Sequence, residues 1–206
     1  IRLDNYLFDY LAFVPARYRG LFDGPAVSVA GSAIEAPDSV FAVILPFVGH
    51  TCIHADWRHP GLNLRWLMPF AAAVSRRLGS GRSDIIRFFM FYFLCGMAGA
   101  ITHMIFYSAE IRPLVGASGA ISGLMGGAAR FMFLSGGFYG NRYLRLSPLF
   151  DSRIMIFAIV FLLINIVFGT IGSSAVQGSG LIAWQAHIGG FLAGLLLFGF
   201  FDRVSN

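Results

Sequence analysis

The 206 residues are 57% hydrophobic and 12% charged. A soluble surface carries roughly 25–35% charged residues, so the composition excludes an ordinary soluble domain and points to a polytopic membrane protein. The 15 basic residues, all Arg, outnumber the 10 acidic ones for a net charge of +5, but they are scattered between apolar runs; that placement suits membrane orientation and argues against a nucleic-acid partner, which takes a clustered basic face.

In chain order, residues 1–57 read as an outer-side N-terminal region. The stretch "YLFDYLAFV" (6–14) is aromatic and amphipathic and suits a helix in the membrane interface. Residues 20–40, rich in Gly, Pro and Ser, read as loop, and "VFAVILPFV" (40–48) is too short to span, so it is expected to dip into the outer leaflet. Residues 58–203 read as a membrane core with five candidate spans, at 58–75, 85–107, 117–135, 154–171 and 182–201. Cys52 and Cys95, in or beside apolar segments, have neither disulfide nor zinc-framework spacing and read as packing residues.

Arginine placement orients the spans. Arg76, Arg77, Arg82 and Arg87 surround the first connection, Arg142, Arg145 and Arg153 lie in the third, and Arg203 follows the last span; these should be cytoplasmic. The second connection holds Glu110 and Arg112, which cancel, and "GSSAVQGSG" (172–180) has no charge, so both should face outward. This alternation puts 1–57 outside and predicts a further span ahead of Ile1, six in the intact protein. The expected fold is an all-α polytopic helical bundle.

Polar groups are costly inside a bilayer, and several fall at similar depth near the outer ends of these spans. "HTCIHADWRHPGLN" supplies His50, His54, His59 and Asn63; "GASGAISG" supplies Ser118; "WQAHIGGFLAG" supplies His187. Alone, "GASG" and the G-x-x-x-G pair Gly190 and Gly194 are ordinary helix-packing patterns. Together the pieces have complementary chemistry. A serine hydroxyl needs a base within hydrogen-bond reach, and His187 is the natural one. Charge that develops on a substrate carbonyl oxygen needs pre-aimed donors. The helix N-terminus at Ser118 has free backbone N–H groups, and His59 and Asn63, four residues apart on one helix face, can add side-chain donors. No acid lies in the spans near the pair; Asp56 sits on the histidine-rich entrance side. The expectation is therefore a Ser–His dyad with no acidic third member. A metal or solute carrier using His50, Cys52, His54 and Asp56 is the competing reading. That cluster precedes the span and has no mid-membrane carboxylates to extend it, so neither a metal site nor a cofactor is expected.

Three motifs, "HPGLN" (59–63), "GASG" (116–119) and "AHIGGFLAG" (186–194), make the chain from about residue 40 to 203 resemble the rhomboid intramembrane serine proteases, which carry H-x-x-x-N, G-x-S-G and A-H-x-x-G-x-x-x-G in that order. The resemblance, taken as one to a bacterial rhomboid, implies a rhomboid-like bundle of six core spans, five of them visible here. It makes Ser118 the nucleophile and His187 the general base. It assigns His59, Asn63 and the Ser118 amide to the oxyanion. Supporting positions would be His54, Ala117, Ser122, Gly190 and Gly194, the two glycines letting the last helix approach that of Ser118. The implied partners are a transmembrane protein substrate, cut near its outer end, and the lipid bilayer. The implied location is a bacterial inner membrane with the site opening to the periplasmic side. Residues 172–180 would cap the site and the fourth span would be its lateral gate. There are departures. Relatives often place a tyrosine four residues after the nucleophile, against the histidine ring; here that residue is Ser122, so His187 must be steadied from elsewhere. Pro60 directly follows His59, and Arg65 lies close in sequence to the active face. The alternative within this resemblance is an inactive rhomboid-like protein that binds membrane clients; such proteins lose the Ser or the His, and both are present here.

Overall fold

The computed structural model describes residues 10–22, 28–29, 32–33, 36–139, 144–175 and 183–203. Seven α-helices lie among them: α1 Pro15–Tyr18, α2 Val40–Gly49, α3 Arg58–Leu78, α4 Arg82–Phe106, α5 Ser118–Ala129, α6 Ser152–Ala175 and α7 Trp184–Phe201. The described β-structure is a short antiparallel pair, Ser28–Val29 with Ser32–Ala33, within the stretch read as loop, and an isolated bridge between Phe13 and Leu114.

Each helix boundary has a local cause. Ser39 caps α2 by accepting from the Ala42 N–H at 3.2 Å. Asp56 accepts from the N–H groups of Arg58 at 2.8 Å and His59 at 3.0 Å, covering two orphan donors at the start of α3. Those bonds hold the Asp56 carboxyl below the usual carboxylate range. Pro60 falls in the first turn of α3, where a missing N–H costs nothing. The same helix stops at Gly79, whose φ of 115° few other residues adopt. Asp84 accepts from the Gly81 N–H at 3.0 Å and starts α4.

Three helices, α4, α6 (over Ser152–Thr170) and α7, are long and apolar enough to cross a membrane. The α3 helix has 21 residues but includes Arg58, Arg65, Arg76 and Arg77. The expected third span, 117–135, is a correction: its helix has only 12 residues, Ser118–Ala129, or about 18 Å at 1.5 Å per residue. Arg130 ends it, donating to the carbonyls of Ser147 at 2.9 Å and Leu195 at 3.1 Å, and the chain turns from there to residue 139. The fourth span, read as 154–171, agrees with the apolar Ser152–Thr170 part of α6, but the helix runs on and replaces loop at 172–175; the rest of the expected cap, 176–180, lies outside the described residues. The interfacial helix expected over 6–14 lies mostly outside them too; Tyr10 and Leu11 are helical, whereas Phe13 is extended in its bridge to Leu114.

The short α5 is the centre of the bundle. It packs most extensively on α7 and then on α4 and α3, and ten of its residues are buried. Around it, Phe70, Val74 and Leu78 of α3, Phe91 and Cys95 of α4, Leu124 and Ala128 of α5, and Phe198 of α7 form one apolar core. Cys95 is therefore a packing residue as expected, but Cys52 is exposed. The α6 helix leans on α7 through Phe161, stacked on Phe191 with ring centroids 4.4 Å apart. Most of its other apolar side chains, from Ile156 to Phe168, are exposed, as a lipid-facing helix requires.

At one end of the bundle Arg77 and Asp202 form a fully buried ion pair at 2.7 Å. Removing one partner of such a pair typically costs about 3–5 kcal/mol, because the other charge is left unpaired. At the opposite end the N-terminal segment grips the loop that leads into α5. Phe13 and Leu114 exchange backbone hydrogen bonds of 3.2 and 2.7 Å, and the Ala16 N–H donates to Glu110 at 3.0 Å.

Candidate active site

Four of the helices contribute to one site. Ser118 opens α5 and His187 lies in the first turn of α7. His59 and Asn63 lie in the first two turns of α3. Asn165 is just past the midpoint of α6.

The approach to Ser118 is held from both sides. Gly116 donates its N–H to the His50 carbonyl at 2.8 Å, next to the Phe13–Leu114 bridge. Its φ of 107° suits glycine, and a Cβ there would stand 2.6 Å from the His59 ring. The loop can therefore turn into α5 only with no side chain at that point. Ala117 follows, buried, as the N-cap. The α5 ladder begins with the Ile121 N–H on the Ala117 carbonyl at 2.9 Å, so the N–H groups of Ser118 and Gly119 stand ahead of it.

Helix α7 comes against α5 closely enough that a Cβ on Gly190 would collide with the Gly119 carbonyl, and one on Gly194 with the Gly123 carbonyl. That approach delivers His187 to the nucleophile position: its Nε2 is 2.8 Å from Ser118 Oγ. The two residues are 69 positions apart in the chain. They form a Ser–His pair of the kind that activates a serine for acyl transfer.

The other expected donors surround this pair. Asn63 is 8% exposed, and its Nδ2 is buried with no hydrogen-bond partner among the described residues. A buried amide donor left open is costly unless a ligand or water takes it. The space beside Gly116 lies between Asn63 Nδ2 and the His59 ring. His54 packs edge-on against His59, ring centroids 5.1 Å apart, and burial followed by the nearby His59 keeps it below the ordinary imidazole range. His50 is more deeply buried. It places Nδ1 2.9 Å from the Pro46 carbonyl and is pushed down to about 4 by that burial, so it stays neutral beside the loop it anchors. Arg65, two residues beyond Asn63 and so across the helix, is exposed and stands off the site.

Two features were not read from the sequence. Ser122 does not touch His187; its hydroxyl donates to the Ser118 carbonyl at 2.8 Å. The second nitrogen of His187, Nδ1, instead meets Asn165 Oδ1 at 2.7 Å, and Asn165 Nδ2 donates to the Phe161 carbonyl at 2.8 Å. The pair thus has a third polar neighbour, neutral rather than acidic. The signal available for it was its cost: an amide within "FLLINIVFG" needs a reason.

The model of the rhomboid domain family matches residues 42–203. RHOMBOID-like protein 4 of Arabidopsis thaliana is 28% identical over 154 residues, which are 72% of this chain and 33% of that relative. The chain spans about a third of the length of that plant protein.

Proposed function

The chain belongs to the rhomboid family, and from that premise we propose that it is an intramembrane serine endopeptidase acting on transmembrane protein substrates. The observation that carries this reading is the 2.8 Å contact between Ser118 Oγ and His187 Nε2, made across two apolar helices.

In the proposed reaction Ser118 Oγ attacks the scissile carbonyl carbon as its proton passes to His187 Nε2. The negative charge that forms on the carbonyl oxygen is met by Asn63 Nδ2, His59 and the Ser118 N–H. The unpartnered state of Asn63 Nδ2 supports its place in this set. Collapse of the intermediate expels the amine, which takes the proton from His187. Water then attacks the acyl-Ser118 ester, giving its proton to the same nitrogen, and release of the acid restores the serine. His54 backs His59 from the loop side, Ala117 sets the entry to α5, and Gly190 and Gly194 keep α7 near enough for the proton transfers. The substrate backbone must unwind locally to expose its carbonyl, so helix-breaking residues near the cut should favour cleavage.

In this reading α3 to α7 are the five membrane spans, residues 1–57 an outer region and 58–203 the catalytic core. The site opens to the outer side, because the ends of α3 and α7 remote from it bear Arg76, Arg77 and Arg203. Reconstitution in liposomes with a single-span reporter tests the reading, the reporter carrying a small residue and a helix breaker near its outer end. The intact chain should cut it within the membrane-embedded segment and Ser118→Ala should not. Cutting by Ser118→Ala at the wild-type rate would end the assignment.

A further inference from the structure

Resting on the reading of Ser118 and His187 as nucleophile and base, we propose that Asn165 is the positioning residue of the base. Its amide, carried on α6, fixes the tautomer and rotation of the His187 ring, and so makes a competent base depend on α6 being seated.

A chain of hydrogen bonds sets the ring, each one deciding the next. The Phe161 carbonyl only accepts, so the Asn165 atom 2.8 Å from it is the NH2 group. That sets the orientation of the amide and turns Oδ1 toward α7. Oδ1 also only accepts, and His187 Nδ1 lies 2.7 Å from it, so Nδ1 carries the ring proton. Nε2 is then left with its lone pair, 2.8 Å from Ser118 Oγ. This is the tautomer a general base must have, and the opposite one would point an N–H at the serine.

Among the described residues no other group is paired with His187 Nδ1. Ser122, where a ring would rest in many relatives, is turned to the Ser118 carbonyl. The groups facing His187 from α5 and α6 are the neutral Ser118 and Asn165, and the ionisable neighbour is His59 of α3. A neutral acceptor orients the ring without burying a charge in an apolar bundle. Apart from this bond, α6 meets α7 largely through rings, Phe157 and Phe161 on Phe191, and through Gly169 against Trp184. Any outward displacement of α6 takes the Asn165 acceptor away from Nδ1 and frees the ring to turn.

The test is the rate at which a fluorophosphonate probe labels Ser118 in the full chain in detergent, followed through the histidine titration range. Asn165→Leu should lower the rate at the high-pH plateau by about ten- to a hundredfold, with thermal unfolding in detergent near wild type. Asn165→Asp should retain labelling but move the acid limb to higher pH by about one unit or more, because a carboxylate beside Nδ1 favours the protonated ring. A residue that does not meet the ring would not move that limb, and a residue that only packs α6 would not lower the Asn165→Leu plateau while leaving unfolding unchanged. Asn165→Leu with the wild-type rate, or Asn165→Asp with a profile superimposable on wild type, overturns the proposal. If Asn165→Leu does not fold, the nearly isosteric Asn165→Asp decides alone by the same criterion. A wild-type chain that fails to label sinks the dyad reading and this inference with it.

Discussion

Asn63 illustrates how a single residue connects sequence to chemistry. It stands one turn after His59, is buried, and presents an NH2 group that donates to none of the described residues. If that donor serves the oxyanion, Asn63→Ala should lower turnover of the reporter by about ten- to a thousandfold with little change in folding. Unchanged turnover would assign the donor to another group. The placement of Ser118, His187, His59 and Asn63 was legible because each belongs to a short motif at one end of an apolar run. Asn165 has no motif. It stands mid-span, and only its closeness to His187 across two helices reveals what it touches. Ser122 was legible as a departure, but its actual bond, back to the Ser118 carbonyl, depends on helical i to i−4 geometry that a motif does not express.

The contact between α5 and α7 is where packing becomes function. The paired glycines bring backbone against backbone, and a single methyl has nowhere to go: at Gly194 it meets the Gly123 carbonyl. Gly194→Ala should therefore lower the unfolding temperature in detergent, by a destabilisation of about 1–3 kcal/mol, and slow labelling of Ser118 as His187 is pushed away. Normal stability with normal labelling would contradict the close approach. Hydropathy read the order of the core helices but not all of their ends. It reported apolarity through residue 135, while the helix ends at Ala129 because the Arg130 side chain is needed at two carbonyls across the bundle. It ended the fourth span at 171, whereas α6 continues to Ala175 through Ser173 and Ser174, which hydropathy scores as loop. The clamp of Phe13 on Leu114 was not legible at all, since an isolated bridge between residues a hundred positions apart leaves no periodic trace.

On the scale of the whole molecule, two polar regions lie at opposite ends of an apolar bundle. One holds Arg77, Asp202, Arg87 and Asp84 in ion pairs at the ends of α3, α4 and α7. The other holds the Ser–His pair with Asn63 and Asn165. The gathering of Arg76, Arg77, Arg82, Arg87 and Arg203 at the first of these ends was legible, because charge is costly between the spans. The buried partner of Arg77 was not, since Asp202 lies 125 residues away. The central claim is that the Ser–His pair makes Ser118 a nucleophile, and the most direct measurement is the intact mass of the chain after fluorophosphonate treatment in detergent. The account predicts one adduct per chain, mapped to Ser118 and absent from both Ser118→Ala and His187→Ala. An adduct of equal yield on the Ser118→Ala chain would contradict it.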